Sequence, residues 1–181
     1  MNVSNLITIA SALSALLFLP SAAHARNEPR DLTGTIKAAQ SPKAMLLGTS
    51  YGEVRVKLAS IVAAVGPQCH PRDLKCLKAN SDLLDLDGKT VDAIGRQWVG
   101  KQSKVTIYQP ASPHAQSVVT VGGQDVAVEL ARNGYVTFCA NGYAPNQAAV
   151  MLAEKEARVA KRGVWAILAE YQTPNHCVDS R

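Results

Sequence analysis

The sequence predicts an α+β fold, with five short strands forming a small β-barrel and about three helices set between and after them. Three observations predict it. First, "LTGTIKAA" (32–39), "KAMLLG" (43–48) and "EVRVKLAS" (53–60) are short strand-like runs joined by tight turns. The last alternates cleanly, with Val54, Val56 and Leu58 on one face and Arg55 and Lys57 on the other. Second, two more such runs, "KVTIYQ" (104–109) and "QSVVTV" (116–121), come much later in the chain. Third, helical periodicity occupies the segments between and beyond them.

Taken in order, the first 25 residues stand apart. "MNVSNLITIASALSALLFLPSAAHA" carries no Lys, Arg, Asp or Glu. Its apolar run from Leu6 to Pro20 suits a signal-peptide core and is short for a membrane span, and Ala23-His24-Ala25 offers small residues at a cleavage site. Residues 1–25 are therefore expected to be a signal peptide and residues 26–181 a single exported domain, periplasmic or secreted. That length can bury a core without help from disulfides.

Three strands, 32–39, 43–48 and 53–60, form a meander, turning at Gln40-Ser41-Pro42 and at Ser50-Tyr51-Gly52. Residues 62–88 read as a long connection with Pro67, Pro71, two cysteines and "DLLDLDG", in which Leu74, Leu77, Leu83 and Leu84 give short helical pieces. "KTVDAIGRQWVG" (89–100) places Val91, Ile94 and Trp98 on one helical face and stops at Gly100. After the strands 104–109 and 116–121, Gly122-Gly123 turns the chain into "QDVAVELARNG", a helix with Val126 and Leu130 inward and Gly134 as its stop. "YVTF" returns briefly to strand. Asn146 precedes a longer helix with Ala149, Leu152, Ala153, Ala157 and Ala160 on its expected buried face and Glu154 and Arg158 as an i, i+4 pair. Gly163 closes it, and Trp165 packs back on the body ahead of a tail, 166–181. Five strands with helices so placed fit an OB-type barrel.

Cys69, Cys76, Cys139 and Cys177 all lie in the expected exported part, so two disulfides are expected. Of three possible pairings, Cys69–Cys76, closing a local loop, and Cys139–Cys177, tying the tail down, are favoured. The mirrored pairs Cys69-His70 and His176-Cys177 raise a metal site as the alternative, but neither has common zinc-ligand spacing.

The formal net charge of +5 favours polyanionic partners, an acidic polysaccharide or a nucleic acid. Aromatic residues make up only 5% of the chain, which argues against a base-stacking platform. Lys57, Lys155, Arg158, Lys161 and Arg162 are candidates for polyanion binding; Lys155, Arg158, Lys161 and Arg162 also suit the wet face of an amphipathic helix.

"VAVELARNGYV" (126–136) and "AEKEARVAKRGVW" (153–165) resemble the C-terminal half of the thermonuclease, or staphylococcal nuclease-like, family. Leu130, Arg132, Gly134 and Tyr135 match the end of one family helix. Ala153, Glu154, Ala157, Arg158, Gly163 and Trp165 match the next helix and its closing Lys-x-Gly-x-Trp. The resemblance covers 32–166 in element order and is specific over 126–165. It implies a five-stranded OB barrel and calcium-dependent hydrolysis of nucleic-acid phosphodiesters. The whole chain also resembles small secreted members of that family encoded with the succinoglycan exopolysaccharide genes of rhizobia, which implies an accessory role in exopolysaccharide production.

Phosphodiester hydrolysis needs cationic forks for the charge on phosphorus, carboxylates for a hard cation, and a carboxylate at the attacking water. The family writes the third strand and its following loop as Val-Arg-Leu-x-Gly-Ile-Asp-x-Pro-Glu. Here the same stretch runs from Val56 through Lys57, Leu58, Ala59, Ser60, Ile61, Val62, Ala63 and Ala64 to Val65. Lys57 thus stands at the first catalytic arginine, Val62 at the metal aspartate and Val65 at the glutamate. The first hairpin turn, Gln40-Ser41-Pro42-Lys43, offers no second metal aspartate, and His114 falls at the second arginine. No catalytic residue, metal or cofactor is therefore expected, calcium entering only if the chain is an active nuclease.

Asp73, Asp82, Asp85 and Asp87 occupy the expected loop and read as its solvated acidic face, relocated metal chemistry being the alternative, and His70 and His114 are candidate bases without a placed nucleophile. The leading expectation is an exported, catalytically degenerate binding or accessory protein. The alternatives are a secreted metal-dependent nuclease and a structural envelope protein without a ligand.

Overall fold

The structure, a computed structural model, describes residues 28–109, 115–140 and 144–171. The expected signal peptide, His114, His176 and Cys177 lie outside the described residues. The fold is α+β, with a mostly antiparallel sheet and four helices among the described residues.

Strands β1 (Arg30–Ser41), β2 (Ala44–Thr49) and β3 (Gly52–Lys57) form the expected meander. β5 (Gln102–Tyr108), β6 (Gln116–Val121) and the two-residue β7 (Gln124–Asp125) continue on the other side of β1, in the order β3-β2-β1-β5-β6-β7. β1 is long because it serves both halves. Residues 30–35 pair with β5 and residues 34–41 with β2, so Gly34 and Thr35 are shared. Two register shifts on the β2 side bend the strand. At Gly34 a side chain would meet the Gly48 carbonyl oxygen at 2.8 Å, so the strands approach too closely there for a Cβ. The end of β3 then reaches across to β6. Leu58 makes one parallel bridge to Ser117, and the Ala59 amide donates to the Ser117 carbonyl at 2.9 Å. This is a contact between two ends of the sheet and not a continuous ladder. A second, two-stranded sheet pairs β4 (Ile61–Val62) with β8 (Thr137–Phe138).

The largest departure from the sequence reading lies in 62–88. Only residues 63–73 form a loop there. Residues Leu74–Trp98 form one helix, α1, that fuses the expected short pieces with the expected helix at 89–100. The reason is a stripe of buried residues with helical spacing, Cys76, Ala79, Leu83, Leu86, Thr90, Ile94 and Trp98, which runs through Gly88 without a break. Gly88 costs about 1 kcal/mol relative to alanine, and burial of the stripe outweighs that. Asp73 caps the N-terminus, its Oδ1 accepting from the Cys76 amide at 3.0 Å.

α2 (Val126–Arg132) buries Val126 and Leu130 as expected, and Asp125 caps it through the amides of Ala127 and Val128. α3 (Gln147–Val159) is rotated from the expected face. Val150, Ala153 and Ala157 are buried, whereas Leu152 is 58% exposed and Ala149 and Ala160 face solvent. The packing of α3 on α2 selects the row that is small at its centre, because Ala153 and Ala157 allow close approach. α4 (Val164–Ile167) brings Trp165 back into a satellite cluster with Leu83, Leu86, Ala157, Val164 and Leu168. The main core joins Ile36, Met45 and Leu47 from the meander to Ile94 and Trp98 of α1 and Leu130 of α2.

Two glycines lock the C-terminal half. Gly134 (φ +70°) and Gly163 (φ +52°) face each other; a Cβ on either would lie 2.2 Å from a carbonyl oxygen, that of Arg162 or of Gly134. The Gly134 carbonyl accepts from the Val164 amide at 2.8 Å.

Two glycine substitutions should therefore move stability in opposite directions in thermal unfolding. Gly134→Ala should lower the melting temperature by roughly 5–10 °C, through backbone strain and collision. Gly88→Ala, whose Cβ meets nothing within 4 Å, should raise it by about 2–4 °C.

Candidate functional site

The segment 57–66 runs from the end of β3, through a tight turn, to a cavity wall. Lys57 is exposed and lies opposite Ala44 in the ladder, beside the first hairpin turn. Ser60 is a non-glycine residue at φ 63° and is 1% exposed. Its strained turn is held by a chain of buried polar groups. Ser60 Oγ donates to Asn146 Oδ1 at 2.9 Å, Asn146 Nδ2 donates to Asp125 Oδ2 at 2.8 Å, and Asp125 Oδ1 caps α2. The Ser60 carbonyl in turn accepts from the Cys139 amide at 3.0 Å. Burial pushes the Asp125 carboxyl above its ordinary range, against the opposing pull of its hydrogen bonds from Asn146, Ala127 and Val128. Two signals for this network stand in the sequence, an Asp before Val126 and an Asn before α3. Asn146, however, spends its side chain on Ser60 and Asp125 and not on capping α3.

Beyond that turn, Val62 is 7% exposed and belongs to β4, while Val65 is 52% exposed. Residues 62–66 form one wall of a cavity of about 450 Å³, and Asn80, Leu83, Leu84 and Asp87 of α1 form the other. Those four positions are spaced i, i+3, i+4, i+7, which puts them on one helix face. Val62 and Val65 thus line this space with aliphatic carbon. Lys57 is not among its lining residues.

The walls are fixed at one end. Cys69 and Cys76 form the expected local disulfide, with Cα atoms 5.5 Å apart, which ties the loop to the first turn of α1. Asn80 Nδ2 donates to the Pro67 carbonyl and to Cys69 Sγ, both at 3.2 Å. Asn80 Oδ1 is buried without a hydrogen-bond partner and abuts Gly66, where a Cβ would sit 1.7 Å from it. Cys139 is fully buried and itself disulfide-bonded; its expected partner Cys177 lies outside the described residues.

The four aspartates Asp73, Asp82, Asp85 and Asp87 do not converge. Asp73 is a helix cap, Asp82 pairs with Lys78 at 2.8 Å, and Asp85 is exposed. Asp87 alone turns toward the cavity, half-buried and without an ion pair, and desolvation raises its carboxyl above the ordinary range. All but Asp73 stand on α1, not in the solvated loop expected for them. Among the described residues no group of three or more His, Cys, Asp and Glu side chains is placed to hold a metal ion. His70 is exposed and its Nδ1 accepts from the Arg72 amide at 3.3 Å.

The basic candidates divide. On α3, Arg158 lies 4.1 Å over the Trp165 ring and 3.5 Å from Glu154, and Arg162 donates to the Arg132 carbonyl at 3.1 Å. Lys155 and Lys161 extend into solvent. Arg132 itself bridges Glu129 and Glu156. The outer face of the meander carries a set the sequence reading did not group. Lys37 lays its aliphatic stem across Gly48, and Arg55 and Lys57 project from β3 on the solvent side. Arg96 lines a shallow cavity of about 550 Å³ between β1 and α1 with Lys37 and Asp92; Arg55 and Lys57 are not among its lining residues. None of Lys37, Arg55, Lys57 or Arg96 is ion-paired among the described residues.

No family model matches this chain, and no curated protein matches it. No helix among the described residues is long and apolar enough to cross a membrane.

Asp87 and Asp125 share a pH signature. Each binds its proton more tightly folded than unfolded. The stability each contributes is therefore complete below the ordinary value of 3.8 and is lost as pH rises through the raised folded value. In thermal unfolding across roughly pH 3–7, Asp87→Asn should lose less stability on the rising limb than the wild type, and its melting temperature at neutral pH should be no lower.

Proposed function

We propose that this chain is an exported accessory protein of the thermonuclease-like group, one that keeps the scaffold without the chemistry and binds an anionic polymer. The scaffold is read as an OB-type barrel. In support, the sheet order is β3-β2-β1-β5-β6-β7, and the Leu58–Ser117 bridge joins β3 to β6, the contact a barrel closure would use. OB barrels bind oligonucleotides and oligosaccharides across the face of their second and third strands.

The observation that carries the binding reading is the set of unpaired cations on that face. Lys37 projects from β1 and Arg55 and Lys57 from β3, the strands on either side of β2, and Arg96 of α1 lines a cavity with Lys37. Cations that form no ion pair among the described residues attract a chain of negative charges by releasing its counterions. An acidic exopolysaccharide is the preferred ligand, with nucleic acid second, because the described residues offer no row of exposed aromatics on which bases would stack. Exopolysaccharide production is the setting the resemblance suggests.

The non-catalytic part of the reading rests on the aliphatic segment 62–65. Valine can neither coordinate a hard cation nor accept a proton from water. The active-nuclease reading requires the opposite, and the ligand-free structural reading requires no binding at all.

Titration of the full chain with alginate and with a single-stranded oligonucleotide tests these readings. Alginate should bind with an affinity that falls steeply as salt rises, and the triple variant K37E/R55E/K57E should weaken it by at least about tenfold. Equal binding by the variant would move the interface elsewhere, and no binding to either polymer would favour the structural reading. Plasmid incubated with the pure chain and calcium should remain intact, with or without EDTA; cutting that EDTA abolishes would reinstate the nuclease.

A further inference from the structure

We propose that the cavity between residues 62–66 and the middle of α1 is a binding site for a small aliphatic amine. The alkyl chain would lie on Val62, Leu83 and Leu84, and the ammonium against the Asp87 carboxylate. This inference is independent of the polymer-binding reading, because it concerns a different face and the opposite charge.

The volume, about 450 Å³, falls within the range of small-molecule sites. The mouth is marked by aliphatic carbon in water, with Leu84 73% exposed from the helix and Val65 52% exposed from the loop. Both would be covered by an alkyl chain entering between them. Such burial stabilises by about 25 cal/mol per Å² of apolar surface.

Charge selects the polar end of the ligand. Asp82, on the same helix, is neutralised by Lys78, and Asp31, on β1, lies 3.5 Å from Lys104. Asp87 has no such partner among the described residues, yet it is the carboxylate drawn into the apolar space. The segment 62–66 contributes no titratable side chain to the cavity, and Asp87 is the one titratable group that α1 contributes. An arriving cation would therefore meet one unopposed negative charge. A carboxylate would be repelled, and an alcohol would leave the charge uncompensated. The walls are already braced by the Cys69–Cys76 disulfide and the Asn80–Pro67 bond, so little ordering is left for binding to drive.

An amide-resolved NMR titration of the full chain with hexylamine, hexanol and hexanoate near neutral pH tests the site. Hexylamine, protonated throughout, should give saturable shifts confined to residues 62–66 and 80–87, and should bind at least about tenfold more tightly than hexanol. Hexanoate should not bind. The preference should fade as the pH falls through the raised range of Asp87, while the amine keeps its charge. Asp87→Asn should reduce hexylamine to the affinity of hexanol while leaving the rest of the spectrum unchanged. Leu84→Ser, at an exposed position, should weaken amine and alcohol alike. Equal affinity for all three probes, an unaffected Asp87→Asn variant, shifts centred elsewhere, or no saturation at millimolar amine would each overturn the assignment.

Discussion

The buried relay from Ser60 through Asn146 to Asp125 sets the course of the chain at the point where the sheet ends and the cavity begins. Ser60 sits in a left-handed conformation that disfavours a residue with a Cβ. The strain is tolerated because the hydroxyl is spent on Asn146 and the carbonyl on Cys139. Asp125 is drawn in by burial that raises its carboxyl, yet it completes the cap of α2 and accepts from Asn146. Three segments far apart in sequence are thereby pinned at one place. With the turn fixed, Ile61 and Val62 pair with β8, and residues 63–66 are delivered alongside α1.

Much of the scaffold could be read from local patterns. The meander, the late strands, α2 with its inward Val126 and Leu130, the return of Trp165 and the Cys69–Cys76 bridge all rest on short-range signals, namely alternation, turn residues, a cap or a loop short enough to close. α1 is obscured in the sequence because its buried stripe includes Cys76, Ala79, Leu86 and Thr90, which lie outside the row of Leu74, Leu77, Leu83 and Leu84, and because the exposed Gly88 resembles a break. α3 was misjudged in phase. Its sequence offers two apolar rows, and only contact with α2 decides that Val150 goes inside while Leu152 stays out. Long-range polar pairing left a weaker trace still. Ser60 and Asn146 are 86 residues apart, and nothing in either neighbourhood names the other.

The same division holds for the candidate sites. That Val62 and Val65 are aliphatic is plain in the sequence, since a residue type needs no geometry to be noticed. The cavity they line is not plain there, because it belongs to two elements at once. Asn80, Leu83, Leu84 and Asp87 share a face only if the region is a helix, and the helix was the element missed. Gly66 shows its purpose only when Asn80 is placed against it. The basic row has a similar origin. Lys37, Arg55 and Lys57 become neighbours through the pairing of β1 with β2 and of β2 with β3. Charge on the α3 edge, by contrast, was prominent in the sequence but is partly absorbed by Glu154, Trp165 and the Arg132 carbonyl.

The facing turns at Gly134 and Gly163 also constrain how such a chain can diverge. Each excludes a side chain because of the other's local backbone, and not because of any neighbouring side chain. A bulky replacement on one side therefore cannot be answered by trimming the opposite residue, since glycine is already there and the obstruction is a carbonyl. At this crossing a side chain on one glycine has no compensating substitution on the other.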